Sequence, residues 1–422
     1  MARILFVSIL MIILLAAGLP SATAVAQSGA INASVTLDGL PVVFDVPPAL
    51  ENGRLLVPFR ALAEALNVQV LWNDVNQTVS AKGRLVDVVL QIASKTAYLN
   101  GTGTPLDVPP ALINGRTMIP LRFFSEAFGC QVNWDPSTNR VEVISPPKPM
   151  HVTGFYALGS RQASSWTDLF GLPYPETAAG NTNIVSELAL GWYTLDREGT
   201  LLTSSASGWQ RPAGWERVLE AAGEYGLRTE MVIYANNKEG MLEALLADEG
   251  AVLTLIESIA AEVQFYDGVN LDLEGLGLVK PNQNLQPTQQ NFNNFVNQLA
   301  SQLKARNKTI TLTLHPPNSV YRGYDYHTLG KLADQIIIMA YDYGPKPEPI
   351  RQVVQGVELA LQAVPPEKLA LGISIPSETP ESILTKVGVV KRYSLKGISL
   401  WRLGLIPPET WKALKMVIEP RK

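Results

Sequence analysis

Cysteine and histidine are both scarce in this chain of 422 residues. The single cysteine, Cys130, excludes an intrachain disulfide, so the fold must rely on the size of its apolar core. None of the three histidines has a second histidine or a cysteine at ligand spacing, which argues against a metal centre built from these residues. We therefore predict neither a metal site nor a cofactor.

Runs of basic residues are also missing, since the 34 Lys and Arg residues are interspersed with the 38 Asp and Glu residues. This pattern gives no indication of a nucleic-acid partner. Hydrophobic residues make up 46% of the chain, which is enough for a sizeable core. The length is sufficient for two or three domains.

The one long apolar run lies at the N-terminus. Arg3 precedes an apolar stretch over residues 4–19, and the small residues Ala24-Val25-Ala26 follow. This order predicts a secretory signal peptide over residues 1–26, so the mature chain would be secreted or associated with a bacterial cell wall. An uncleaved membrane anchor is the alternative, but the run is shorter than the roughly 20 residues that a span needs.

Residues 33–146 contain a duplication. The pattern DVPPAL-x-NGR begins at Asp45 and again at Asp107. Each unit predicts a β-hairpin at the Asn-Gly-Arg turn, then a short helix, then a strand that carries Trp72 or Trp134. We expect a small α+β domain built from two copies of this unit.

A proline-rich stretch, SPPKPM at residues 145–150, predicts a linker over 147–150. From there to residue 422 the pattern alternates between strands and amphipathic helices. The predicted strands are Val152–Leu158, Ser186–Leu195, Thr229–Ala235, Gly268–Leu273, Thr309–His315, Gln335–Tyr341, Leu369–Ser374 and Gly397–Trp401. Eight strands, each but the first with a helix after it, predict an α/β fold of the (β/α)8 TIM-barrel type over residues 151–422.

The fourth predicted strand, within FYDGVNLDLEGLG at residues 265–277, alternates polar and apolar side chains. Because side chains repeat with a period of two along a strand, Asn270, Asp272 and Glu274 point to one face. In a barrel, one face of each strand points to the barrel axis, and active sites lie at the carboxyl ends of the strands. We therefore expect Asp272 and Glu274 at the barrel mouth.

Three elements of this region resemble family-18 glycoside hydrolases, the chitinase family. The segment DGVNLDLE (residues 267–274) resembles its Asp-Gly-x-Asp-x-Asp-x-Glu signature, MAYD (residues 339–342) resembles its Met-x-Tyr-Asp element, and Trp401 ends the eighth strand. The resemblance covers roughly residues 150–418. The duplicated front segment resembles a copper-amine-oxidase-N-like stalk domain, although no histidine lies between Met1 and Met150.

The spacing of the two acids favours one mechanism. Ordinary glycosidases use carboxyl groups on opposite sides of the sugar, about 5–5.5 Å apart when retaining and about 6.5–9.5 Å apart when inverting. Asp272 and Glu274 point the same way, so the 2-acetamido oxygen of an N-acetyl sugar must be the nucleophile, as the resemblance also implies. Glu274 would be the acid and base, and Asp272 would hold the acetamide and raise the proton affinity of Glu274 by charge repulsion. Tyr341 would aim the acetamide oxygen, and Trp401 would lie under the sugar.

Four further residues are candidates for substrate contact. Asn270 stands where the family signature has its middle acid, and this variant resembles the bacterial branch of spore-cortex-lytic N-acetylglucosaminidases. Met339 and Asp342 belong to the second family element, and Tyr156 lies on the first strand. Tyr156 has core packing as its alternative, and so does Tyr234 on the third strand, a further residue that would line the rim of the barrel.

Together these patterns predict a secreted glycoside hydrolase that cleaves β-linked N-acetylglucosamine polymers, with peptidoglycan of the spore cortex preferred over chitin. One alternative is a carbohydrate-binding, lectin-like wall protein without catalysis. Another is a wall-bound structural protein. The front domain is either a wall-contacting module or a spacer.

Overall fold

The computed structural model describes residues 29–83, 85–157, 164–204, 210–279 and 284–421. The predicted signal peptide lies outside these residues. Within the described ranges, no helix has both the length and the apolar character needed to cross a membrane. The predicted domain limits remain a prediction.

The N-terminal region, residues 29–146, consists mainly of short strands. These are β1 (Gly29–Ala30), β2 (Ser34–Leu37), β3 (Leu40–Pro41), β4 (Ala49–Glu51), β5 (Arg54–Pro58), β6 (Gln69–Asn73), β7 (Thr78–Lys82), β8 (Asp87–Gln91), β9 (Thr96–Leu99), β10 (Thr102–Pro105), β11 (Ala111–Ile113), β12 (Arg116–Pro120), β13 (Gln131–Asp135) and β14 (Arg140–Ile144). The helices are α1 (Phe59–Ala65) and α2 (Leu121–Ala127).

The two repeats form one interlocked unit. The hairpins β4–β5 and β11–β12 turn at Asn-Gly pairs with positive φ, as the sequence predicts. β5 of the first repeat then pairs with β12 of the second, so that one five-stranded sheet spans both copies. Two further sheets have the orders β10-β9-β8-β7-β6 and β13-β14-β2-β3. A smaller duplicated α+β region is therefore confirmed.

The rest of the chain alternates strands with helices. The strands are β15 (His151–Tyr156), β16 (Glu187–Leu195), β17 (Leu201–Leu202), β18 (Arg228–Asn236), β19 (Gly268–Glu274), β20 (Thr309–Leu314), β21 (Gln335–Ile338), β22 (Leu369–Ser374) and β23 (Gly397–Trp401). The helices are α3 (Ser165–Phe170), α4 (Trp215–Glu224), α5 (Met241–Ala247), α6 (Glu249–Glu262), α7 (Gln286–Lys304), α8 (Tyr326–Leu332), α9 (Ile350–Leu361), α10 (Pro380–Tyr393) and α11 (Pro408–Val417).

Eight of these strands close into a parallel barrel. Their order is β15-β23-β22-β21-β20-β19-β18-β16, and β15 also pairs with β16. The predicted TIM barrel is confirmed. The prediction that the first strand lacks a helix was wrong, because α3 follows β15 and buries Trp166, Leu169 and Phe170.

Periodic apolar faces explain how the barrel is held. On α7, the residues at positions i, i+3, i+4, i+7 and i+11 are all buried: Phe292, Phe295, Val296, Leu299 and Leu303. On β19, Val269, Leu271 and Leu273 are buried in the same helix-side cluster. The polar residues of β19 therefore point to the barrel axis, where a small apolar cluster of Phe155 and four aliphatic residues from other strands packs against Trp401.

Candidate active site

The last residues of β19 bring two carboxyl groups to the carboxyl end of the barrel. Asp272 is 2% exposed, and its Oδ1 has no hydrogen-bond partner among the described residues. Glu274 ends the strand and is partly exposed. Both side chains leave the strand on the same side, as its period of two predicts. The pair therefore combines one acid open to solvent with one buried acceptor that lacks a donor.

Burial sets the proton affinity of both groups. It raises the pKa of Asp272 well above its usual range, and the charge of Glu274 raises it further. Burial also raises the pKa of Glu274 to about 7, with a smaller contribution from the charge of Asp342. The sequence predicts that repulsion from Asp272 raises the proton affinity of Glu274. The charges of these two residues do interact, and Asp342, which sequence reasoning did not consider in this role, adds a further negative charge that acts on Glu274. A carboxyl group with a pKa near neutrality can both donate and accept a proton at neutral pH.

Tyr341 and Asp342 lie just beyond β21, which ends at Ile338 rather than at the predicted Tyr341. The chain leaves the sheet because the amide of Tyr341 bonds to the carbonyl of Met339, and Asp342 takes a left-handed conformation with φ 62°. The buried carboxylate of Glu348 accepts hydrogen bonds from the backbone amides of Asp342 and Tyr343, each at 3.1 Å. Glu348 thus fixes this turn, and sequence reasoning missed it.

The Tyr341 hydroxyl lies among the acids of the mouth. Burial raises its pKa well above the usual range, and the charges of Asp272, Glu274 and Asp342 add to this rise. The hydroxyl therefore stays protonated and can donate a hydrogen bond. Tyr341, Asp272 and Glu274 are brought together, as the sequence predicts.

Aromatic side chains form further parts of the mouth. Trp401, at the end of β23, is partly exposed and packs on Phe155 with ring centroids 5.1 Å apart. Tyr234 pairs in register with Asp272, and burial and the Glu274 charge raise its pKa. His315 stacks on Tyr321 at 4.4 Å, and burial lowers its pKa to about 4. His315 is therefore neutral at physiological pH.

Three predicted substrate-contact residues lie away from the open mouth. Tyr156 is fully buried on the helix side of β15, where its ring packs edge-on against Trp192. Met339 is 3% exposed. Asn270 is fully buried inside the barrel and accepts a hydrogen bond from Thr313 at 2.8 Å.

Asn270 is part of a polar layer below the acids. Its amide donates to Glu230 at 3.3 Å, and Glu230 also accepts a hydrogen bond from Thr311 at 2.6 Å. Burial raises the pKa of Glu230 well above its usual range. Asn270 therefore bonds downward into the barrel, and no hydrogen bond joins it to Asp272 among the described residues.

A cavity of about 710 Å³ lies between the loops that follow β18 and β19, and Glu274 is not among the residues that line it. The loop after β18 contributes Asn236 and Lys238, and the loop after β19 contributes Gly275 and Leu278. Asn236, which lines the cavity, pairs in register with Glu274, and Gly275 follows Glu274 in the chain. No group of three or more His, Cys, Asp or Glu residues in the described ranges is arranged to hold a metal ion.

Two family profiles match this chain. Residues 36–143 match the copper amine oxidase N-terminal domain, and residues 236–377 match glycosyl hydrolases family 18. A curated relative is the Bacillus subtilis protein YdhD, whose name describes a sporulation-specific glycosylase. It is 28% identical over 120 residues, which are 26% of this chain and 27% of YdhD. The match thus spans about a quarter of that relative.

Solved structures share the barrel fold at low identity. A class V chitinase from Pseudomonas fluorescens Pf-5 is 17% identical, covers 63% of this chain and 99% of its own, and has a TM-score of 0.52. The spore cortex-lytic enzyme SleL of Bacillus megaterium QM B1551 is 16% identical, covers 71% of this chain and 82% of its own, and has a TM-score of 0.53. This chain therefore carries a domain of glycosyl hydrolases family 18, a glycosidase family, behind a copper amine oxidase N-terminal domain.

Proposed function

We propose that the protein is a secreted glycoside hydrolase that cleaves β-linked N-acetylglucosamine polymers by substrate-assisted retaining catalysis. The observation that carries this proposal is the pairing of Glu274, whose pKa is raised to about 7, with the buried and unpartnered Oδ1 of Asp272. An acid near neutrality supplies the proton, and a buried acceptor without a donor suits an incoming N–H group.

In the proposed first step, the Glu274 carboxyl donates its proton to the glycosidic oxygen. The bond from this oxygen to the anomeric carbon breaks, and the acetamide oxygen of the same sugar attacks that carbon. The acetamide N–H donates to Oδ1 of Asp272, and this hydrogen bond favours the ionised form of a carboxyl group whose pKa burial otherwise raises. The resulting carboxylate stabilises the cyclic cation. Glu274 then takes a proton from a water molecule, and the water oxygen attacks the anomeric carbon. This attack breaks the bond from the acetamide oxygen to that carbon, so the anomeric configuration is retained overall.

Two side chains would orient the reacting sugar. The Tyr341 hydroxyl donates to the acetamide oxygen, since its pKa keeps it protonated among the three acids. Trp401 offers a partly exposed ring held by Phe155, on which the apolar face of a sugar can lie. Asp342 would act mainly through its charge on Glu274.

Peptidoglycan, including that of the spore cortex, is the proposed substrate, and chitin is the second choice. The name of the YdhD relative supports this order, as does the Asn270 variant of the family signature. We also propose that the chain acts outside the cell and that its N-terminal region contacts the cell wall. The apolar run at residues 4–19 supports export.

The test is a digest of purified vegetative peptidoglycan, spore cortex and chitin oligomers, with mass analysis of the products. The wild type is expected to release fragments with N-acetylglucosamine at the reducing end, and Glu274→Gln is expected to release none. Binding of these glycans by the wild type without any cleavage would refute hydrolysis and favour the lectin-like alternative.

A further inference from the structure

The N-terminal region contains a cavity that the proposed hydrolysis does not use. Its volume is about 520 Å³, within the roughly 300–1,000 Å³ typical of small-molecule sites. Its walls include Arg54, Asp107, Arg122, Phe123, Glu126 and Trp134. We refer to it as the Trp134 cavity.

One wall of the Trp134 cavity is aromatic. Trp134 is 41% exposed although it lies in a paired strand, where it is in register with Val141. Phe123, on α2, adds a second ring. The first repeat has Ala61 at the position of Phe123, and its own Trp72 does not line the Trp134 cavity. Partly exposed rings offer flat apolar faces for the C–H groups of a sugar.

The other wall is polar and balanced in charge. Arg54 of the first repeat pairs with Asp107 of the second at 2.7 Å, and Arg122 pairs with Glu126 at 3.5 Å. All four side chains are at least half exposed, so their remaining hydrogen-bonding positions can reach a ligand. Two positive and two negative groups favour a neutral ligand with many hydroxyl and amide groups over an ion. Hydrogen bonds between such charged side chains and a ligand are stronger than those between two neutral groups.

We propose that the Trp134 cavity binds the glycan strand of peptidoglycan. A flat ring beside paired charged donors and acceptors is the chemistry that recognises such a chain. The choice of polymer rests on the proposed function, since the barrel would act on the same glycan. Holding the polymer at a second point raises the local concentration of substrate at the barrel mouth.

The experiment measures binding of the full chain to insoluble purified peptidoglycan by co-sedimentation. All variants carry Glu274→Gln, so the ligand stays intact during the assay. Adding Trp134→Ala is expected to weaken binding about tenfold, and Trp134→Phe is expected to recover part of that loss. Trp72→Ala is the matched control, because it removes a tryptophan of similar exposure outside the Trp134 cavity, and we expect a change within about twofold.

Arg122→Gln provides a second, exposed substitution on the polar wall, and it is also expected to weaken binding. Equal losses in the Trp134→Ala and Trp72→Ala variants, or no loss in Trp134→Ala and Arg122→Gln, would overturn the proposal. So would binding to chitin alone. Because sedimentation does not require hydrolysis, a chain that binds without cutting would refute the proposed function and leave this inference standing.

Discussion

The charge of Asp342 offers a quantitative test of the acid. The pKa of Glu274 rises from 4.5 to about 7, and burial is a larger cause than the Asp342 carboxylate. The charge therefore accounts for less than half of the rise, or at most about one pH unit. Asp342→Asn should keep the left-handed backbone at φ 62°, because Asn tolerates this conformation as well as Asp does.

The expected result is a shift of the alkaline limb of the kcat/KM profile toward lower pH. At pH 8 an acid with a pKa near 6 is protonated roughly one tenth as often as one near 7, so the variant should lose up to about tenfold there. Near pH 5 both acids are protonated, and the charge effect should vanish. The assay is release of N-acetylglucosamine fragments across pH 4.5–9, with values normalised for each variant.

A matched control is Glu367→Gln, which removes one negative charge at the opposite end of the barrel, just before β22 begins at Leu369. Its profile should coincide with that of the wild type. An unchanged alkaline limb in Asp342→Asn would refute the reasoning, and so would a shift of equal size in Glu367→Gln.

Further predictions concern catalysis and stability. Asp272→Asn should lower kcat on N-acetylated oligomers roughly 10²–10³-fold, because it replaces the buried acceptor carboxylate; a loss below about fivefold would exclude this role. Lys386→Ala should cost about 3–5 kcal/mol in urea unfolding, because it leaves Glu378 buried without its partner at 2.7 Å; removing both charges together should cost less. Glu274→Gln should raise the thermal midpoint at pH 8 but hardly at pH 4. The folded acid has the higher pKa, so wild-type stability falls as the pH rises from about 4.5 to about 7. An equal gain at both pH values would contradict this.

Local periodicity was sufficient to predict most of the barrel. Strands and helices repeat with periods of 2 and 3.6, and on β19 a polar row fixed which face was inward. In the first strand, HVTGFY, the polar residues His151 and Thr153 share one face, but the last residue on that face is apolar. Its inward residue proved to be Phe155, and the neighbouring Tyr156 therefore faces the helices. A shift of one residue exchanges the two faces of a strand.

Side-chain contacts that strand periodicity does not predict account for the rest of the site. The apolar run before Tyr341 continues a strand pattern. However, Glu348 accepts hydrogen bonds from the backbone amides of Asp342 and Tyr343, and the chain turns out of the sheet there. That turn also places Asp342 where its charge acts on Glu274, in addition to the charge of Asp272. No spacing within the signature segment carries this information.

The most direct measurement compares kcat/KM of the wild type on an N-acetylglucosamine oligomer and on the same oligomer without its acetyl groups. The proposed mechanism predicts cleavage of the first and no detectable cleavage of the second, since the free amine has no carbonyl oxygen to attack the anomeric carbon. Equal rates on the two substrates would contradict substrate-assisted catalysis and require a nucleophile from the protein.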